Sequence, residues 1–230
     1  MRFKPASISY WLRLPALCVF CNQYSRSHKG LCAACMKTLQ PIGPQCRHCA
    51  LPLADALFPC CGRCLREKPC FDTVYCAWRY LEPLQSILHA FKYRQALFWS
   101  GFLAERILDA LPDTMTLPEC LVPVPLHRHR LRERGYNQST LIAQKLAKML
   151  SLPLVHNGCM RLRDTRPQAG TSAASRRVNL QNAFAARPTT FQHIALIDDV
   201  LTTGSTASAV AAALKQQGVK RVDVWCCARA

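Results

Sequence analysis

The stretch IALIDDVLTTGST, residues 194–206, decides how this chain is read. Ile194, Ala195, Leu196 and Ile197 form an unbroken apolar run. Such a run suits a strand buried on both faces, as in a parallel sheet covered by helices. Asp198 and Asp199 follow at its C-terminal end, where open α/β sheets place their ligands. Then come Thr202, Thr203, Gly204, Ser205 and Thr206, which offer hydroxyls, backbone N–H groups and one position free to take positive φ. Ala207, Val210, Ala211 and Leu214 recur at helical spacing, and Gly218 is a natural stop.

The hydroxyl-rich loop therefore leads into a helix N-terminus, where converging N–H groups and the positive dipole end favour an anion. Two carboxylates beside it call for uncharged donors, such as a pair of sugar hydroxyls. A phosphorylated ribose presents both. The stretch resembles the phosphoribosyl-pyrophosphate (PRPP) signature of type I phosphoribosyltransferases. That resemblance implies that Asp198 and Asp199 bind the ribose hydroxyls. It implies that Thr202, Thr203, Gly204, Ser205 and Thr206 cradle the 5′-phosphate.

Fifteen cysteines stand in 230 residues, and eight of them form Cys-x-x-Cys pairs within the first 64 positions. Two thiolates from one tight turn reach one ion, and two turns complete a tetrahedron. Four pairs predict two structural zinc sites. A disulfide framework would need an oxidising compartment, and a thioredoxin-like motif would be a single pair. The preferred arrangement is sequential: Cys18, Cys21, Cys32 and Cys35 on one ion, and Cys46, Cys49, Cys61 and Cys64 on the other. An interleaved pairing is the alternative, and Cys60 is a possible substitute for Cys61. A segment of about 65 residues has little core of its own, so metal binding would supply folding free energy. The expected division is a double zinc ribbon over 1–68 and an α/β domain over 69–230.

Thirty Lys and Arg against 13 Asp and Glu give a formal charge of +17. Eight thiolates and two Zn2+ ions lower this by four, to +13, which still favours polyanions. Arginines cluster in two places. In VPVPLHRHRLRERGYNQS, 122–139, a short strand is followed by a loop offering Arg128, Arg130, Arg132 and Arg134, and Asn137 caps a helix with Ile142, Leu146, Met149 and Leu150 on one face. Arginine forks match phosphate oxygens bidentately. The alternative is a solvated basic face. The second cluster spans Arg161 to Phe184, with a small polar middle, 168–175, that reads either as a loop able to close over a phosphate or as an ordinary connection.

Together the cysteine pairs, VPVPL…RxRGYNQ, RxRxTxxQ, RxxNxxxAF and the hydroxyl-rich loop resemble the ComF family of competence and DNA-utilisation proteins. The resemblance runs from about Leu17 to Arg229. It implies that Arg128, Arg132, Arg134 and the 161–176 loop, Arg176 included, face a pyrophosphate. Lys92, after an amphipathic helix with Leu84, Ile87, Leu88 and Phe91, either reaches the same ligand or snorkels at the surface. Mg2+ would accompany PRPP and lean on the ligand's own oxygens.

The fold expected is the type I phosphoribosyltransferase-like α/β class, a mostly parallel sheet with flanking helices and a small N-terminal zinc-ribbon module. Its strands are placed near 74–80, 120–124, 192–197 and 222–227. Two functional classes follow. One is a PRPP-binding protein acting in DNA uptake or use, holding single-stranded DNA and working with DNA-uptake or recombination proteins. The other is a phosphoribosyltransferase passing phosphoribose to a nucleobase-like acceptor. Threonine at position 202 stands where 6-oxopurine enzymes carry an acid, which disfavours that subclass. The N-terminus is basic and then apolar, but Arg13 and Pro15 interrupt it. No run approaches the ~20 apolar residues of a membrane helix, so the expected address is cytoplasmic, with no membrane insertion.

Overall fold

The computed structural model describes residues 16–18, 20–25, 31–163 and 183–230. The chain divides into two compact units, with the boundary between Leu39 and Gln40. In the first, β1 (Ala16–Leu17) pairs antiparallel with β2 (Tyr24–Ser25), and α1 (Ala33–Lys37) follows. Cys32 caps α1, its Sγ accepting from the amide of Cys35 at 3.4 Å.

The second unit begins with a cysteine-bearing turn and α2 (Gly62–Arg66) and continues into the α/β sheet. Four strands lie parallel: β3 (Thr73–Arg79), β4 (Cys120–Pro123), β7 (His193–Leu201) and β8 (Arg221–Arg229), in the order β3-β8-β7-β4. Helices α3 (Leu84–Tyr93), α4 (Trp99–Asp109), α5 (Arg128–Arg134), α6 (Gln138–Leu150) and α7 (Ser205–Gln216) connect and flank it. A short antiparallel pair, β5 (Cys159–Arg161) and β6 (Phe184–Ala186), packs near α7.

Both faces of the sheet are covered, as the aliphatic run predicts. Ile194 and Leu196 of β7 join an apolar cluster with Val222 and Val224 of β8 and with Val210 and Leu214 of α7. Ala195 and Ile197 point the opposite way, as strand alternation requires, and are also fully buried. On β8, Cys227 likewise turns from that cluster and donates its thiol to the carbonyl of Leu103 in α4. All four apolar positions named for α7 are buried, as are Leu84, Ile87, Leu88 and Phe91 on α3. Met149, assigned to the buried face of α6, is 45% exposed.

Two local readings change. The sequence predicts β7 over 192–197, but the strand runs on to Leu201 because Val200 and Leu201 pair with Ala228 and Arg229 of β8. The two carboxylates are thus part of the strand. The arginine stretch, read as a loop, is the helix α5. His127 caps it, and Gly135 at φ 82 closes it by donating its amide to the carbonyl of Leu131. Arg, Leu and Glu are good helix formers, and spacing alone gave no apolar stripe to reveal them.

At the opposite end of the sheet, Asp223 is fully buried at the start of β8. It receives Nε2 of His193 at 2.8 Å and the Nε and Nη2 of Arg221 at 3.2 and 3.0 Å. These contacts tie the first residue of β7 to that of β8. Replacing Asp223 by Ala should leave two cationic or polar partners without their acceptor and cost roughly 1–3 kcal/mol in urea denaturation. An unchanged midpoint would show that the cluster contributes nothing to the fold.

Candidate functional site

The site is built where β4 stops short of its neighbour. The β4–β7 register ends at Pro123 opposite Ile197, and the amide of Val124 makes the last bond, to the carbonyl of Ile197 at 3.0 Å. Beyond it the chain turns away, held by Asn137, whose Nδ2 donates to the carbonyl of Val124. The same Asn137 caps α6 through its Oδ1, as the sequence predicts. Asp198 and Asp199 therefore emerge on β7 just past the end of its β4 partner.

Their surroundings differ. Asp198 Oδ1 accepts from the Ser139 hydroxyl at 3.1 Å and from the amide of Asp199 at 2.9 Å. Asp199 Oδ2 meets the Lys92 ammonium at 2.7 Å, while its Oδ1 accepts the amide of Val200. Burial, and then the Asp199 charge, push the Asp198 carboxyl up to about 7. Burial alone would lower the Lys92 ammonium, but the Asp199 carboxylate outweighs it and holds it above its ordinary value.

Thr202 to Thr206 wrap the entry to α7. Gly204 takes φ 74, a conformation that suits glycine, and a Cβ there would stand 3.4 Å from the Phe71 ring. The Thr203 and Ser205 hydroxyls lie 2.9 Å apart, and the Ser205 amide donates to Thr203 Oγ1. These residues, the two aspartates, Lys92, Arg130, Arg134, Ser139 and Arg161 line one cavity of about 220 Å3. Among the described residues, its carboxylates are Asp198 and Asp199, set against four cationic side chains.

Of the arginines assigned to a pyrophosphate, Arg134 lines this cavity, and Arg128 and Arg132 do not. On a helix Arg130 and Arg134 share a face, as do Arg128 and Arg132, and these two pairs point nearly opposite ways. Arg130 is the residue that a loop reading cannot select. Arg134 donates to Gln138 Oε1 at 2.7 Å and lies 5.0 Å from the centre of the Tyr93 ring. Arg176 lies outside the described residues. Ser139 carried no signal beyond following a helix cap.

The two cysteine quartets are brought together in sequential order. Cys18, Cys21, Cys32 and Cys35 form one, and Cys46, Cys49, Cys61 and Cys64 the other, with the sulfurs of each set within 4.8 Å of one another. The pairs Cys21–Cys32 and Cys49–Cys61 are 3.7 Å apart. Thiolates placed tetrahedrally at a zinc–sulfur distance of about 2.3 Å would be separated by about 3.8 Å. That spacing fits structural zinc and is far from a disulfide's ~2.05 Å. Cys60 is buried in the apolar cluster and belongs to neither quartet. Cys76, Cys120, Cys159, Cys226 and Cys227 are buried as core residues, whereas Cys70 is exposed.

Two measurements follow. Elemental analysis should find two zinc ions per chain, and fewer than one would remove the metal reading. Asp198 has its acid form favoured by folding, so its stability contribution is present at low pH and is lost as pH rises from the ordinary carboxylate range through about 7. Asp198→Asn, which cannot ionise, should therefore gain several degrees of melting temperature over the wild type at pH 8 and keep only a smaller part of that advantage at pH 5. An equal difference at both pH values would contradict the burial argument.

The described residues contain no helix long and apolar enough to cross a membrane. A family model described as a double zinc ribbon domain matches residues 11–65. Over nearly the whole chain, the sequence is 35% identical to competence protein F of Haemophilus influenzae, an alignment covering 93% of this chain and 96% of that one. It is 35% identical to the DNA utilization protein YhgH of Salmonella typhimurium, with 95% and 99% covered. Competence protein ComFC of Bacillus subtilis is 25% identical over 82% of this chain and 79% of its own. With a parallel α/β sheet, two four-cysteine sites and full-length relatives of this kind, the chain belongs to the ComF family of competence and DNA-utilisation proteins.

Proposed function

We propose that the cavity binds PRPP, with Mg2+ carried on the ligand, and that the protein serves in the uptake or use of DNA. The carrying observation is the adjacency of the Asp198–Asp199 pair to the hydroxyl-rich start of α7 in one cation-rimmed cavity. The aspartates have acceptor oxygens for the ribose 2′- and 3′-hydroxyls. The amides and hydroxyls of Thr202 to Thr206 suit the 5′-phosphate. Lys92, Arg130, Arg134 and Arg161 supply positive charge for the pyrophosphate. The DNA role rests on the names of the relatives, competence protein F and DNA utilization protein YhgH. It also rests on the +17 balance, which favours single-stranded DNA as a partner.

Transfer of phosphoribose to a nucleobase-like acceptor is the second reading. What favours it is a site able to hold both ends of the donor. Such a reaction would depend on positioning and on stabilising the departing pyrophosphate. Among the described residues, the cavity lining has no acid beyond the two aspartates to protonate an acceptor base.

Titration calorimetry with PRPP and Mg2+ tests the first reading. Asp199→Asn and Thr203→Val should each weaken binding about ten- to hundredfold while zinc content holds at the wild-type level. Undiminished affinity in both variants would sink the assignment of the loop. Filter binding of single-stranded DNA should weaken steeply with salt, by about 0.7 counterions per phosphate contact. Saturating PRPP separates DNA held by the cavity arginines, which it displaces, from DNA held elsewhere. No DNA binding near physiological salt would remove the nucleic-acid half of the proposal.

A further inference from the structure

Two arginine side chains join the second cysteine quartet to the hydroxyl-rich loop. Arg229, at the end of β8, is 3% exposed. Its Nε donates to the carbonyl of Cys49 at 2.9 Å, and its Nη1 donates to the carbonyl of Leu201 at 3.0 Å, as well as to those of Thr202 and Ala230. Arg63 lies on α2 between Cys61 and Cys64, and its Nη2 donates to the carbonyl of Thr203. Three consecutive carbonyls, from Leu201 to Thr203, thus end on guanidinium groups fixed at the cysteine quartet.

The consequence lies in peptide geometry. In a planar trans peptide the C=O of one residue and the N–H of the next point in opposite directions. Holding those three carbonyls toward the arginines turns the amides of Thr202, Thr203 and Gly204 the other way. These three residues all line the cavity. The loop is also pressed from the same side by the Phe71 ring and by Arg63 Nη2, 3.4 and 3.8 Å from the place a Gly204 Cβ would occupy. A four-thiolate zinc site would cross-link the Cys46–Cys49 turn to α2 and so fix both arginine anchors.

We propose that metal occupancy of the Cys46–Cys49–Cys61–Cys64 centre sets the shape of the loop from Leu201 to Gly204, through Arg63 and Arg229, and thereby its affinity for an anionic ligand. The affinity half rests on the PRPP reading, and the loop-shape half stands without it. Arg63 and Arg229 are positioning residues, since their bonds go to main-chain carbonyls and to the cysteine turn.

The test is amide hydrogen exchange of the segment 201–206 in the full-length, zinc-loaded chain, alongside calorimetry with PRPP and Mg2+. Arg63→Met should keep its zinc yet raise exchange in this segment about tenfold and weaken PRPP about tenfold, the scale of one charged hydrogen bond. Cys64→Ser should do the same with loss of one zinc. Cys35→Ser, in the first quartet, should lose one zinc and leave loop exchange unaltered, and Asp199→Asn should weaken PRPP without altering exchange. Loop exchange unmoved by both Arg63→Met and Cys64→Ser would overturn the coupling, as would an equal rise in Cys35→Ser. A wild-type chain that fails to bind PRPP, but whose loop loosens only in the second-quartet variants and Arg63→Met, would overturn the ligand reading and uphold the coupling.

Discussion

The β7–β8 ladder is the constraint on which the rest depends. It extends to Leu201 opposite Arg229, four residues beyond the last β4 pairing at Ile197. That mismatch leaves Asp198 and Asp199 held rigidly by one neighbour and released by the other. A carboxylate pair on a loop could turn outward to water. On a strand the ladder to β8 fixes their backbone, and burial beside the Asp199 charge raises the Asp198 carboxyl. The nearby cation is correspondingly specific: Lys92 meets Asp199 at 2.7 Å, while Asp198 leans on a neutral hydroxyl. One aspartate is thereby electrically compensated and the other is left sensitive to whatever enters the cavity.

The same ladder carries Arg229 to the cysteine centre. Every residue of β8 from Val222 to Arg229 is buried, so an arginine at its end must find acceptors for its donors. It finds them on main-chain carbonyls at Cys49, Leu201 and Thr202. A buried guanidinium satisfied in this way acts as a rigid bracket, because its planar fork fixes several acceptors in one geometry. The second cysteine quartet and the hydroxyl-rich loop are thus parts of one hydrogen-bonded structure within the second unit.

Much of this was legible in the sequence, and the boundary of legibility has a physical cause. The aliphatic run Ile194–Ile197, the buried stripe of α7 and the Asn137 cap each follow from local pattern, and each appears where the pattern puts it. Two four-cysteine sites follow from turn spacing and tetrahedral coordination, whereas their sequential rather than interleaved pairing is settled by where the structure brings the sulfurs together. What stayed hidden depends on non-local pairing. The length of β7 is set by β8, a separate strand whose own end is not marked. The choice of Arg130 over Arg128 and Arg132 is set by helical phase, in a segment whose charged residues leave no apolar stripe to reveal it. Arg63 and Thr203 are 140 positions apart, and nothing in either neighbourhood announces the other.

The zinc-ribbon half therefore has a different standing in its two quartets. The quartet of Cys18, Cys21, Cys32 and Cys35 lies in a unit whose described elements are two-residue strands and one short helix, which a bound metal would tie together. The quartet of Cys46, Cys49, Cys61 and Cys64 is buried within an apolar cluster that also includes Val74, Leu196 and Val224 of the main sheet. Its cysteine turn is thereby tied to the carbonyls of the hydroxyl-rich loop. Here the Cys49 carbonyl and the Thr202 carbonyl share one guanidinium, so a change of shape at either reaches the other through a single side chain.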